Sequence, residues 1–411
     1  MQFTELQLNA YLLKAIAEER FQTPTQVQEQ AIPPILAKKN VIVSAQTGTG
    51  KTAAFALPIL QLLLDRQAPE KKPKRIKSLI VTPTRELCLQ IEANFKSYAK
   101  HTDLTTTAVY GGVSLAPQKE ILKEGVDILI ATPGRLIDLH KQGAIDLRAI
   151  EIFVLDEADL MLDMGFINDV TTIESLCPRK KQSLLFSATI PDKIVALSET
   201  MIKNPITIKI NPAETTAKTI GQLLYYSPKK NKTDLCLHLL RNTINGKIII
   251  FRRTRIGVDK LEETLSKNGY KVTSIHGEKT QIIRNKAIED FKNKKATILI
   301  ATDVAARGID INNVDAIINF DIPNIPETYI HRIGRTGRAG KSGIAFSFCS
   351  PDEDAYIKTI EELLQRPIKV ITDHPYPRVQ PKKQKKQPNT ISKHKKGRKS
   401  EASKKKKKRW Y

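Results

Sequence analysis

Several features that mark exported or membrane-inserted proteins are missing from this 411-residue sequence. No uninterrupted apolar run reaches the roughly 18 residues that a membrane-spanning helix needs. The N-terminal segment lacks the basic region and apolar core of a secretory signal. The cysteines are too widely spaced to suggest a zinc site or a disulfide framework; they are Cys88, Cys177, Cys236 and Cys349. These absences predict a cytoplasmic protein without a membrane partner.

Acidic residues are scarce relative to basic ones. The sequence has 67 Lys and Arg against 43 Asp and Glu, a formal charge of +24. The segment Arg378–Tyr411 holds 16 of the basic residues and a single acid, Glu401. A charge of this size predicts a polyanionic partner, and nucleic acid is favoured because no basic amphipathic helix is evident. We expect the tail to be disordered when free; a purely solubilising role is the alternative.

The most informative stretch is residues 41–52, where an apolar strand ends in a turn of small residues. Gly48 and Gly50 leave room for backbone N–H groups to approach a polyphosphate. Lys51 can bind the β- and γ-phosphates, while Thr52 can ligate Mg²⁺ at the start of a helix. The usual pattern begins with glycine, and this chain has Ala45 there. The stretch predicts a nucleotide site, with an ordinary strand-to-helix turn as the alternative.

Short β-branched runs alternate with helical patterns along the chain, which predicts mainly parallel sheets covered by helices on both faces. The predicted fold class is therefore α/β, with two tandem domains. Their predicted limits are 1–210 and 220–373, separated by a polar linker at 211–219 and followed by a basic tail at 374–411. The predicted strands are 78–82, 106–109, 128–131, 152–155, 183–186 and 206–210 in the first half, and 223–226, 247–251, 272–275, 297–301, 316–320 and 344–348 in the second.

Ligands of such sheets bind at the carboxyl ends of the strands, and polar motifs follow several predicted strands. Asp156 and Glu157 come directly after the apolar run IFVL. One carboxylate can hold Mg²⁺, and the other can orient an attacking water and accept its proton. The alternative is a pair of acids that stabilises the N-terminus of a helix.

The second half has no phosphate loop of its own, so we expect it to complete the site of the first half. Residues 331–338 carry three arginines. Helical spacing would place Arg335 and Arg338 on one face, aimed at a phosphate across a cleft. A solvated basic turn is the alternative. Arginine supplied across an interface is a known way to stabilise the charge of phosphoryl transfer.

Taken together, these residues closely resemble the DEAD-box ATP-dependent RNA helicase family, whose name-giving motif is here Asp156-Glu157-Ala158-Asp159. The resemblance covers most of the chain before the basic tail. Segments 161–166, 251–254 and 276–279 look most like the bacterial RhlE-type branch. Two residues depart from the usual pattern: Arg20 stands where the family has glycine, and Leu160 stands where this branch often has arginine. We expect Leu160 to remove a surface contact and neither change to affect the chemistry.

The resemblance also implies roles for individual residues. The ATP-binding residues would be Phe3, Phe21, Thr23, Gln28, Ala45, Gln46, Thr47, Gly48, Thr49, Gly50, Lys51, Thr52 and Asp310. The catalytic residues would be Lys51, Asp156, Glu157, His331, Arg335 and Arg338, with Thr52 and Asp156 at Mg²⁺. Ser187 and Thr189 would couple hydrolysis to strand separation. The RNA contacts would be Thr84, Arg85, Gly111, Gly112, Thr132, Arg135, Thr254, Gln281, Arg284, Thr302, Asp303 and Arg307.

The implied activity is that of two RecA-like domains that clamp ATP·Mg²⁺ and single-stranded RNA across one cleft. Such a protein would unwind short RNA duplexes or remodel RNA–protein complexes during ATP hydrolysis. A DNA helicase with the same core, an ATP-gated RNA clamp with slow turnover, and RNA annealing through the tail remain as alternatives. Ribosomal particles and the RNA-decay machinery are candidate partners, and the core is expected to be monomeric.

Overall fold

The structure, a computed structural model, describes residues 1–45, 48–66, 74–210, 220–306, 311, 314–337 and 343–378. Residues Met1–Pro377 form one compact unit. The predicted linker and nearly all of the basic tail lie outside the described residues. So do five of the predicted site residues, which are Gln46, Thr47, Arg307, Asp310 and Arg338.

The first half of the chain folds around a sheet of seven parallel strands, in the spatial order β3-β4-β2-β5-β6-β1-β7. Buried β-branched and leucine residues fill nearly every position of the central strands, as expected for a sheet covered on both faces. The strands are β1 (Val41–Ser44), β2 (Ser78–Val81), β3 (Thr106–Val109), β4 (Ile128–Ala131), β5 (Ile152–Asp156), β6 (Gln182–Ser187) and β7 (Ile206–Lys209).

Helices cover both faces of this sheet. A short 3₁₀ helix (Phe3–Leu6) precedes α1 (Ala10–Glu18), α2 (Gln26–Leu36), α3 (Lys51–Leu64), α4 (Arg85–Tyr98), α5 (Ala116–Glu124), α6 (Pro133–Lys141), α7 (Ala158–Asp163), α8 (Ile167–Leu176) and α9 (Asp192–Met201). Successive residues of β1 point to opposite faces, so Val41 and Val43 join the core with Phe55, while Ile42 joins the other core with Phe153.

The second half repeats this arrangement with a sheet in the order β10-β11-β9-β12-β13-β8-β14, again parallel throughout the described strands. Its strands are β8 (Ile220–Tyr226), β9 (Ile248–Phe251), β10 (Val272–Ile275), β11 (Ile298–Ala301), β12 (Ala316–Asn319), β13 (Gly343–Cys349) and β14 (Lys369–Ile371). Its helices are α10 (Lys232–Asn242), α11 (Arg255–Lys267), α12 (Gln281–Lys292), α13 (Asp303–Ala306), α14 (Pro326–Ile333) and α15 (Asp354–Leu364), with short 3₁₀ turns at Lys229–Asn231 and Pro351–Glu353.

The prediction of two parallel-sheet domains is confirmed, and most strand limits agree within one or two residues. The three-residue strand β14 was not predicted, because it is too short to show an alternating pattern. Packing of the second domain continues past residue 373, since the ring of His374 lies 5.4 Å from that of Tyr225. Among the described helices, none has the length and apolarity needed to span a bilayer.

The two departures from the family pattern have structural explanations. Arg20 adopts a φ of 60°, a left-handed conformation in which glycine is not strained. Leu160 is buried in the first domain, with 1% of its surface exposed. The expectation that Leu160 removes a surface contact is therefore wrong, because this position is not on the surface.

Candidate functional site

The phosphate loop between β1 and α3 requires glycine at two positions. Gly48 and Gly50 have φ values of 85° and 94°, which side chains rarely adopt. A Cβ atom on Gly50 would also lie 2.5 Å from Nε2 of Gln28. Lys51 begins α3 and is buried, with 5% of its surface exposed. The loop therefore brings a buried ammonium group to the N-terminus of a helix, as the sequence predicts.

Three carboxylates surround this lysine. The Nζ atom of Lys51 lies 2.9 Å from Oε1 of Glu157, and Glu157 itself has a left-handed φ of 55°. Burial lowers the pKa of Lys51, but Glu157, Asp156 and Asp159 outweigh it, so the pKa is raised. Burial also raises the pKa of Asp156 to about 7, with Glu157 and Asp159 adding to the increase and Lys51 opposing it. One ammonium group thus faces three buried carboxylates, so this part of the site has an excess of negative charge.

This charge excess fits a divalent cation. The Asp156 carboxylate and the Thr52 hydroxyl offer the oxygen ligands that Mg²⁺ prefers. Among the described residues, no group of three or more His, Cys, Asp or Glu side chains could hold a metal by itself. Mg²⁺ commonly keeps several waters and binds through one or two protein ligands plus substrate phosphates, so a sparse protein ligand set suits it.

Asp159 connects this centre to the coupling residues. Its Oδ2 atom accepts hydrogen bonds from the backbone N–H and the hydroxyl of Thr189, both at 3.0 Å. Its backbone N–H donates to Oγ of Ser187 at 3.1 Å. Burial alone would raise the pKa of Asp159, yet His331, Lys51 and these hydrogen bonds hold it below its usual value. A cavity of about 300 Å³ lined by Asp159, Thr189 and His331 lies between the two domains.

The arginines of the second domain differ from the prediction in one respect. Helix α14 ends at Ile333, and Arg335 lies in the following turn, where its backbone N–H donates to Arg332 O at 3.2 Å. The helical spacing expected at Arg335 is therefore wrong, because the helix ends before it. Arg332, for which no separate role is predicted, donates hydrogen bonds to both carboxylate oxygens of Asp303 at 2.6 and 2.7 Å. The pairing of this buried arginine with a carboxylate 29 residues away could only be found from tertiary structure.

The N-terminal residues that are predicted to bind ATP lie near the phosphate loop. The rings of Phe3 and Phe21 stack with centroids 6.4 Å apart. Gln28 accepts the backbone N–H of Thr25 at 2.9 Å, and its Nε2 donates to Gly50 O at 3.2 Å. Gln28 therefore links α2 to the phosphate loop. Thr23 is exposed in the same segment.

Predicted RNA contacts of the first domain surround a loop at residues 110–114. The guanidinium of Arg85 lies 4.5 Å from the ring centroid of Tyr110, and Nη2 of Arg135 donates to Val113 O at 2.8 Å. Gly111 and Gly112 are exposed in the same loop. The remaining predicted contacts, Thr84 and Thr132, are the N-cap residues of α4 and α6.

Two predicted RNA contacts of the second domain instead touch the first domain. Nε2 of Gln281 donates to Oε1 of Glu86 at 2.7 Å, and Nη2 of Arg284 lies 3.1 Å from the same atom. Glu86 is a residue of α4 that the prediction did not include. Thr254 caps α11, accepting the Gly257 N–H at 3.1 Å. The other described contacts are Thr302, which follows β11, and Asp303, which begins α13.

Within the described residues, the buried guanidinium nitrogens that have no hydrogen-bond partner belong to three arginines. They are Nε and Nη1 of Arg85, Nη1 of Arg135 and Nε of Arg284. Buried polar groups nearly always have a partner. A cavity of about 810 Å³ lies elsewhere, at the amino ends of β5 and β6 near Glu151 and Gln182, and none of the predicted site residues lines it.

Comparisons with known proteins agree with this arrangement. Residues 25–197 match the profile of the DEAD/DEAH box helicase family, and residues 231–340 match the helicase conserved C-terminal domain. The chain is 43% identical to the DEAD-box ATP-dependent RNA helicase RhpA of Helicobacter pylori over 85% of this chain and 70% of RhpA. It is 42% identical to the ATP-dependent RNA helicase SrmB of Escherichia coli over 89% of this chain and 83% of SrmB.

A solved structure of Saccharomyces cerevisiae Dbp5 bound to RNA and ADP BeF3 is similar, with a TM-score of 0.80 and 32% identity over 90% of this chain and 95% of that one. The likeness to the RhlE-type branch stays a prediction. Sequence profiles, relatives and the paired parallel sheets agree, and the chain belongs to the DEAD-box ATP-dependent RNA helicase family.

Proposed function

We propose that this protein is an ATP-dependent RNA helicase, an RNA-dependent ATPase that binds single-stranded RNA across both domains and locally opens short duplexes. The unpartnered guanidinium nitrogens of Arg85, Arg135 and Arg284 carry this proposal. Phosphate oxygens are well suited to arginine, because its N–H groups match their geometry and charge. The three side chains belong to both domains, so one bound strand would connect them.

The nucleotide would be bound and hydrolysed by the charges around Lys51. ATP binding would transfer the Lys51 ammonium from Glu157 to the β- and γ-phosphates. Glu157 would then be free to orient the attacking water and accept its proton. Asp156 and Thr52 would hold Mg²⁺, which supplies positive charge at the phosphate oxygens when bound. Thr49, Gly48 and Gly50 would complete the phosphate cradle, and Gln28 with Phe21 would bind the adenine.

Hydrolysis would be coupled to RNA through the domain interface. Asp159 is hydrogen-bonded to both Ser187 and Thr189. It also interacts electrostatically with His331 of the other domain. Arg335, together with Arg338, would bind the γ-phosphate. Release of this phosphate after hydrolysis would remove the arginine contacts and favour opening of the cleft.

RNA contacts of this kind are directed at the backbone and carry no sequence information. We therefore propose sequence-nonspecific binding, with the 2′-hydroxyl distinguishing RNA from DNA. Ribosomal particles and the RNA-decay machinery are proposed partners, and the core is proposed to be a monomer in the cytoplasm. We also propose that the two domains comprise residues 1–210 and 220–373, with a linker at 211–219.

The test is ATPase turnover and unwinding of a short duplex, measured with RNA and with DNA of the same sequence. We expect stimulation by RNA, and we expect Arg85→Ala to raise the RNA concentration needed for half-maximal turnover by at least tenfold. Arg148→Ala is the matched control, because Arg148 is an exposed arginine of the same domain that pairs only locally with Asp146. Equal stimulation by DNA would favour a DNA helicase. RNA binding without turnover would favour an ATP-gated clamp.

A further inference from the structure

Helix α5 buries an unusual residue. A surface helix normally buries an apolar stripe, yet the residue of Ala116–Glu124 that is classed as buried is Gln118, with 8% of its surface exposed. A buried amide is costly unless it is hydrogen-bonded. Its partners therefore indicate what the side chain is for.

All the described hydrogen bonds of the Gln118 amide go to the loop at residues 110–114. Its Oε1 accepts the backbone N–H of Tyr110 at 3.0 Å. Its Nε2 donates to Tyr110 O and to Ser114 O, both at 3.2 Å. One side chain thus fixes both ends of the loop that carries Gly111 and Gly112.

The same loop holds two of the arginines that have unpartnered nitrogens. The ring of Tyr110 lies 4.5 Å from the guanidinium carbon of Arg85. The carbonyl of Val113 accepts a hydrogen bond from Nη2 of Arg135 at 2.8 Å. The buried nitrogens Nε and Nη1 of Arg85 and Nη1 of Arg135 have no hydrogen-bond partner in the protein. The loop therefore holds both guanidinium groups in place through Tyr110 and Val113.

We propose that Gln118 is a positioning residue for RNA binding. It fixes the 110–114 loop so that Tyr110 and Val113 align Arg85 and Arg135 for two successive phosphate contacts. This inference rests on the proposed function, since it assigns the arginines to RNA. A side chain that only stabilised the fold would not make the two arginines depend on one another.

The first experiment compares Gln118→Met with the full-length parent protein. Methionine has a similar size but cannot make the three hydrogen bonds. The RNA concentration for half-maximal ATPase should rise about 10- to 100-fold, because both arginines lose their alignment for phosphate contacts. Turnover at saturating RNA and the KM for ATP should change less than twofold. Gln142→Met, at an exposed position after α6, is the matched control and should behave as the parent.

The salt dependence of RNA affinity distinguishes a role of Gln118 in aligning the arginines from a role only in stabilising the fold. Each phosphate contact contributes about 0.7 to the slope of log K against log salt concentration for single strands. Loss of two contacts in Gln118→Met should reduce the slope by about 1.4. An unchanged slope, or an unchanged RNA requirement, would overturn the proposal.

The variants at Tyr110 provide a second test if Gln118→Met does not fold. Tyr110→Phe keeps the ring beneath Arg85 and should retain parental affinity, whereas Tyr110→Leu removes it and should raise the RNA requirement about threefold or more. Equal behaviour of these two variants would contradict the proposed alignment.

A double-mutant cycle measures the energetic coupling between Gln118 and the two arginines. Gln118→Met should weaken RNA binding much less when Arg85 and Arg135 are already alanine, because the groups that it aligns are absent. Full additivity would overturn the proposal. Failure of the parent protein to show RNA-stimulated turnover would instead refute the proposed function, so the two failures are distinguishable.

Discussion

The two sheets of this protein have the same strand order, and each has a buried lysine at the same position. The surroundings of the two lysines are different. Strands β1 and β8 are equivalent in the two orders. Each is followed by a helix that begins with a buried lysine, Lys51 in α3 and Lys232 in α10. Each lysine contacts a glutamate, with Lys51 2.9 Å from Glu157 and Lys232 2.5 Å from Glu353.

The surroundings of the two pairs differ. Glu353 also accepts hydrogen bonds from Arg253 at 3.0 Å and from the backbone N–H of Ile322 at 3.0 Å, while Lys232 donates to Phe320 O at 2.9 Å. The pair in the second domain is therefore enclosed and satisfied. In the first domain, the Lys51–Glu157 pair lies beside two further carboxylates and an open phosphate loop.

The neighbouring acids show the same contrast. Counted along paired strands from Ile152 and Ala316, Asp321 occupies the position of Glu157. Asp321 lies 2.9 Å from Arg252, which with other contacts holds its pKa below the usual value although burial opposes this. Phe320 occupies the position of Asp156, so the second domain has an aromatic ring where the first domain has a buried carboxylate whose pKa burial raises. One fold thus supports a charge-balanced domain and a domain whose excess of negative charge suits a divalent cation.

The largest effect should come from Arg335, the arginine of the second domain that we propose binds the γ-phosphate. Arg335→Ala should reduce RNA-stimulated ATP turnover about 10³-fold, because an arginine stabilising the transferred phosphoryl group commonly supplies at least that much. Steady-state turnover at saturating ATP and RNA is the measurement. Arg241→Ala, at an exposed arginine of the same domain, is the control. If Arg335→Ala turned over ATP at the parental rate, Arg335 would not be the arginine by which the second domain contributes to hydrolysis.

The next largest effect should distinguish the two partners of the pair in the first domain. Glu157→Gln should lower turnover by about 10²–10⁴ while retaining ATP binding, because it removes a proton acceptor and no phosphate ligand. Lys51→Ala should lose ATP binding itself. Equilibrium binding of an ATP analogue is measured alongside turnover. Hydrolysis at the parental rate by Glu157→Gln would show that another group positions the water.

Stability should respond oppositely in the two domains. Glu353→Ala leaves the buried charge of Lys232 unpaired and should lower the free energy of unfolding by about 3–5 kcal/mol. Asp156→Asn removes a poorly compensated charge and should raise the stability of the nucleotide-free protein at pH 7 by about 1 kcal/mol. Chemical denaturation measures both. Glu263→Ala, in an exposed pair with Lys267, should change stability little. Equal decreases in the free energy of unfolding for Glu353→Ala and Asp156→Asn would contradict the proposed difference between the two domains.

The smallest catalytic effect should come from the basic tail, which carries no catalytic motif. A chain ending at Pro377 should keep its turnover at saturating RNA. If about five of the tail charges meet phosphates, the slope of log K against log salt should fall by about 3–4. RNA affinity is measured at several salt concentrations. An unchanged slope would exclude the tail from RNA binding, and a collapse of saturated turnover would show a further role.

Much of the fold and of the nucleotide site could be predicted from local sequence. Apolar runs of strand length and the glycines of the phosphate loop are local signals, and the observed strands and the positive φ of Gly48 and Gly50 agree with them. The contacts of Glu86 with Gln281 and Arg284 join residues about 195 positions apart, so no local pattern reveals them. The same holds for Arg332 with Asp303, and for Gln118, which looks like an ordinary surface residue until its burial is known.

The claim that the active site is shared by the two domains is tested most directly by RNA-stimulated ATPase of residues 1–212 alone. These residues include the complete first sheet, Lys51 and Glu157, and they lack Arg335. We expect the isolated domain to fold and to show no stimulation by RNA at any concentration of ATP, whereas the full chain is stimulated under the same conditions. RNA-stimulated turnover by residues 1–212 would contradict the shared site.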